Sequence, residues 1–136
     1  MKFKKTLFAL GAIAFGLLVF VIMNDKRSPT IMPVRTVTLT VAPDAETAFV
    51  ESVRTYATAR QMGLVDQPDT PGSIVILLRA EDEHINVTRY GGPGQPVSAG
   101  FYRTGGWFGT SKAQLNRDAD EFVDVVTRTP GVAVVK

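Results

Sequence analysis

Ser73–Tyr90 reads SIVILLRAEDEHINVTRY, and its two halves follow different rules. From Ile74 to Leu78 the odd and even positions are all apolar, the mark of a central strand with both faces at least partly covered. From His84 onward Ile85 and Val87 alternate with His84, Asn86, Thr88 and Tyr90, so one face turns to a core and the other away from it. The acidic AEDE link is too short for anything but a tight turn, and the two strands form a hairpin.

Upstream, VRTVTLTV (Val34–Val41) alternates valine and leucine with threonine, a strand with one buried face. Pro43 and Asp44 stop it. Asp44 suits a helix N-cap, with Glu46 favourable in the first turn. Ala45, Ala48, Phe49, Ser52, Val53, Tyr56 and Ala59 recur at helical spacing. Gly63 is placed to close a helix of about 18 residues as a left-handed cap, with Leu64 folding back on it. Downstream, GGPGQP is a connector, and VSAGFYR a strand with Val97, Ala99 and Phe101 opposite Ser98, Gly100 and Tyr102. Ser111 and Gln114 have the spacing of a capping box. Leu115, Ala119, Phe122, Val123 and Val126 stripe the helix that follows, with Asp120, Glu121 and Asp124 outward, and VAVV is a last short strand.

The element order β-α-β-β-β-α-β predicts an α+β two-layer sandwich with both helices on one face of a mixed sheet. In element order it is similar to a ferredoxin-like arrangement with one extra strand. Such a likeness names no family and carries no function.

With both helices on one side, the other face of the sheet is left bare. Strand parity gives it Thr36, Thr38, Thr40, Val75, Leu77, His84, Asn86, Thr88, Tyr90, Ser98 and Tyr102. Threonine is a good strand residue in any solvated sheet. Tyrosine around an apolar centre with few charges is also the composition of a protein contact. The residues expected to meet a protein partner are therefore Val75, Leu77, Tyr90 and Tyr102, and a second copy of the chain would satisfy the same pattern. Trp107 and Phe108 join them: flanked by glycines in TGGWFGT, they fit a partner hot spot, a membrane-interface anchor or a plug of the core.

The chain opens MKFKKTLFALGAIAFGLLVFVIMNDKR. Leu7–Met23 holds no charge and no proline, and with Thr6 an 18-residue helix spans about 27 Å, close to the roughly 30 Å bilayer core. Lys5, Lys26 and Arg27 can reach the headgroups at either end. FVIMNDKRSPT offers no small-x-small cleavage site, so residues 1–23 are read as an uncleaved signal-anchor contacting lipid through residues 6–23. Residues 24–33 form a linker and 34–136 an extracytoplasmic domain. The short basic N-terminus places that domain in the periplasm of a bacterium, anchored in the inner membrane. Ala9, Ala12 and Gly16 share a helix face that lets a second membrane helix approach closely.

Lys2, Lys4 and Lys5 are three of the 15 basic residues; the other 12 face 13 acidic ones, so residues 6–136 sum to −1. That lacks the basic footprint of a nucleic-acid binder. Without cysteine there is no thiol chemistry. G-x-S-x-G and H-E-x-x-H are both missing, and His84, the only histidine, sits where neighbouring strand side chains diverge, which disfavours a metal. GGWFGTSK misses the phosphate-loop spacing, since Gly109 is followed by Thr110 and Ser111 before Lys112. No cofactor and no catalytic residue is expected. The sequence predicts a non-enzymatic accessory subunit or assembly factor docking on a larger membrane complex. A membrane-anchored periplasmic inhibitor or toxin-immunity protein is the second reading, and a small hydrolase the third.

Overall fold

The computed structural model describes residues 32–104 and 109–136. The expected membrane segment, with Ala9, Ala12 and Gly16, lies outside the described residues, as do Trp107 and Phe108. Strand β1 is Arg35–Val41, followed by a 3-10 turn at Pro43–Ala45 and helix α1 at Glu46–Ala59. Strands β2 (Gly63–Asp66), β3 (Ile74–Arg79), β4 (Glu83–Arg89) and β5 (Val97–Arg103) come next, then helix α2 (Lys112–Thr127) and strand β6 (Val132–Val134). The six strands form one sheet in the order β2-β3-β4-β5-β1-β6. Every neighbouring pair is antiparallel.

The sheet is thus antiparallel where a mixed one was expected, and it has six strands where five were expected. The reason lies in where the crossovers land. Helix α1 carries the chain from β1 to β2, which runs the same way, but β3, β4 and β5 lie between them. Helix α2 joins β5 to the like-directed β6, and β1 lies between those two. Each helix makes the expected crossover, yet the strands it connects never touch.

Strand β2 is an element the pattern did not offer. Gly63 and Leu64 were expected to cap α1; instead Gly63 pairs with Arg79 and Leu64 with Leu78. The cap falls two residues earlier. Gln61 adopts a left-handed φ of 55°, its N–H donates to the Thr58 carbonyl, and the Met62 N–H donates to Ala57. This is the paired closure of a Schellman motif, with buried Met62 as its apolar contact. An L-residue there costs about 1–2 kcal/mol, part of which glycine gives back in chain entropy. Gln61 is exposed, so Gln61→Gly should stabilise the domain by roughly 0.5–1 kcal/mol, measured as a higher midpoint in chemical denaturation. At the other end Asp44 sits inside the 3-10 turn, and Ala45 takes the N-cap position of α1 with no side-chain bond.

Helix α2 starts as expected: the Ser111 hydroxyl accepts from the Gln114 N–H at 3.1 Å. The capping box is only half made, because the Gln114 side chain turns to Asp118 instead. Both helices pack on the same face of the sheet. Phe122 of α2 meets Tyr56 of α1 and Phe101 of β5 edge-on, with ring centroids 5.3 and 5.6 Å away. The alternation read from the sequence supplies that face: Val37, Leu39, Val41, Ile74, Ile76, Leu78, Ile85, Val87, Val97, Ala99 and Phe101 are all buried. Gly131 turns the chain from α2 into β6. Its φ is 91°, and a Cβ there would lie 2.9 Å from the Ala45 Cβ, so no side chain fits.

Candidate functional site

On the face away from the helices, register aligns residues into rows. One row runs Val65, Leu77, Asn86, Gly100, Thr36 across β2, β3, β4, β5 and β1. The next holds Val75, Thr88, Ser98 and Thr38. Arg79, His84 and Tyr102 align at one end. Among the described strand positions Arg79 is the one fully charged side chain on this face. Arg35, by contrast, points to the helix side, where it bonds the Asn116 carbonyl at 3.0 Å and Asp120 at 2.7 Å.

The apolar centre lies toward the β2 edge. Val75 and Leu77 are half-buried, and Val65 beside Leu77 is 41 % exposed. Tyr90, one residue past β4, is 73 % exposed and so is open to a contact. Tyr102 differs. Its ring lies over Gly100, where an added Cβ would come within 3.0 Å of it. The glycine leaves a gap in the sheet surface and the tyrosine fills it. Of the expected contact residues, the structure therefore groups Val75 and Leu77, adds Val65, and sets Tyr90 and Tyr102 apart at opposite ends of β4 and β5. Val65 was hidden because it belongs to the unforeseen strand.

Charged groups on the helix side escaped the sequence reading altogether. Arg89 is fully buried; it donates to the Glu46 carboxylate and to the Gly72 carbonyl. Its Nε has no partner among the described residues. The signal was available: the alternation through Ile85 and Val87 continues to Glu83 on one side and Arg89 on the other, putting both on the buried parity. A cleft of about 310 Å³ lies beside Arg89, lined by Glu46, Thr47, Val50, Glu51, Asp66 and Ser73 among others. Its acids already face cations: Glu46 bonds Arg89, while Glu51 and Asp66 lie 3.7 and 3.4 Å from Arg54.

At the opposite end of β4 a second group spans three elements. The Asp118 carboxylate accepts from Arg60 Nη1 and from Gln114 Nε2, each at 2.8 Å, and the Tyr56 hydroxyl donates to the Asp118 carbonyl at 3.2 Å. Arg60 also pairs with Glu121. Glu83 reaches Asp118 from the sheet. Burial, then the neighbouring Asp118, pushes the Glu83 carboxyl up to about 8. Burial works against the Asp118 charge too, but hydrogen bonds from Glu83, Gln114 and Arg60 outweigh it and hold that group below the usual carboxylate range. Burial pushes the Tyr56 phenol up.

His84 lies on the opposite face from Glu83, as consecutive strand residues must. Among the described residues no three histidine or acidic side chains gather as a metal ion requires, and no helix is long and apolar enough to cross a membrane. No protein-family model matches this sequence, and a search of curated proteins returns no match.

Proposed function

We propose that this chain is a non-enzymatic, single-pass membrane protein that serves as an accessory subunit or assembly factor. Its N-terminal segment, uncleaved, anchors it in a bacterial inner membrane, and residues 34–136 dock on a protein of a larger complex from the periplasmic side. The observation that supports the docking is the two-layer arrangement. Both helices are used on one side of the sheet, and the other side carries Val65, Val75 and Leu77 together with a single full charge among the described strand positions. A surface of that composition gains from burial against a partner. The anchor rests on the sequence argument alone: an 18-residue uncharged run between basic flanks.

A photo-crosslinking amino acid at Leu77 of the full-length chain, in intact membranes, tests the docking. The expected result is one adduct of defined mass, not seen with the same group at Glu51 on the exposed side of α1. Equal or absent labelling at the two positions overturns it. The same membranes test the anchor: the chain should resist alkaline extraction and keep residues 1–23 by mass.

A further inference from the structure

The contact between β4 and the helix layer contains more acid than its one shared cation can balance. Glu83 and Asp118 are 6 % and 3 % exposed and approach each other from β4 and α2. Among the described residues, the charged and titratable groups around them are these. From α1 and its C-cap come Tyr56 and Arg60; from α2, Asp118 and Glu121; from the β3–β4 turn, Asp82. From β5 comes Arg103, the register partner of Glu83, which is exposed. Arg60 is the inward cation, and it is already divided between Asp118 and Glu121. Glu83 Oε1 is buried without a donor among the described residues. A second buried negative charge there would stand against Asp118 at close range with no counter-ion of its own.

We propose that Glu83 and Asp118 form a one-proton acid–carboxylate pair, Glu83 donating to Asp118, that makes the seating of the helix layer on β4 sensitive to pH. The pair titrates as a unit. Glu83 is held protonated up to about pH 8 in the fold, whereas an unfolded glutamate ionises near 4.5. Its contribution is therefore fully present below about pH 4.5 and is lost as pH rises through about 8. Asp118 acts with the opposite sign: lowered in the fold, it adds stability above the ordinary carboxylate range and loses it as pH falls through its folded value. Together the two groups place the tightest packing on the mildly acidic side of neutrality. Loosening at Glu83 also reaches the adjoining turn. There the Asp82 carboxylate accepts from the Thr110 hydroxyl at 2.6 Å, and the Asp82 carbonyl accepts from the Thr104 N–H at 3.1 Å.

Thermal melts of the full chain in detergent between pH 5 and 9 provide the test. The wild type should lose about 5–10 °C in melting temperature across that range, and Glu83→Gln, a permanent hydrogen-bond donor of the same shape, should flatten the slope. An unchanged slope in the variant overturns the proposal. Should Glu83→Gln not fold, carbon-13 NMR of side-chain carboxyls in the wild type decides instead. One glutamate titrating above pH 7 supports the pair, and all glutamates titrating below pH 6 overturn it.

Discussion

Phe122→Ala is expected to lower the melting temperature of the domain by about 15–30 °C, a loss of roughly 3–5 kcal/mol. Phe122 is fully buried, and its ring joins α2 to both α1 and the sheet. Its ring packs edge-on against Tyr56 at 88° and Phe101 at 77°, geometries worth about 0.5–1.5 kcal/mol per pair beyond the area they bury. Truncation deletes both contacts and opens a cavity that three elements would have to collapse together, and a close-packed interior yields little. Tyr56 loses its ring contact but keeps its hydroxyl bond to the Asp118 carbonyl, which restrains it from filling the space. Phe122→Leu leaves most of the volume and should cost no more than about 1–2 kcal/mol. Circular dichroism melts of the two variants provide the check; a loss below 1 kcal/mol for alanine would mean that α2 does not rest on the sheet through this residue.

The elements legible in the sequence were those whose period the core enforces. Val37, Leu39 and Val41, or Val97, Ala99 and Phe101, announce a strand and its buried face because every second side chain meets the helices. β2 has no such pattern. Its GLVD is exposed or half-buried throughout, and it becomes a strand because the outer edge of β3 offers unpaired backbone groups, a tertiary cause that no local period records. A mixed sheet was expected because two helix crossovers suggest parallel neighbours, and the fold instead places other strands between the strands each helix joins. The bare face was legible by parity alone, since it needs only to know which side the helices take. Its focus near Val65 was not, because it depends on β2. Glu83 and Arg89 were legible in principle. Each extends an apolar alternation with a charge, and such a charge must find a partner across the sequence. Asp118, 35 positions from Glu83, and Glu46, 43 positions from Arg89, are partners that only the fold brings near.

The buried Arg89 should respond unequally to the loss of either partner. Glu46→Ala is expected to destabilise the domain by about 2–4 kcal/mol, whereas Arg89→Met should change stability by no more than about 1 kcal/mol in either direction. Without Glu46, a guanidinium with no solvent exposure keeps its charge, because arginine side chains are not deprotonated in proteins. It is left with the Gly72 carbonyl as its partner, while its Nε is already unsatisfied. The helix also loses an acid from its first turn, worth about 0.3–1 kcal/mol against the dipole. Removing Arg89 has a different consequence. Glu46 is 27 % exposed, so water can solvate its carboxylate, which still faces the N-terminus of α1. Methionine fills the space of the arginine stem among apolar neighbours and adapts to its shape. The double variant Glu46→Ala/Arg89→Met should therefore be more stable than Glu46→Ala alone, a coupling of about 2 kcal/mol in a double-mutant cycle by urea denaturation. Additive single losses would show that water reaches Arg89 freely, and that the charge inside this sheet is not buried in solution.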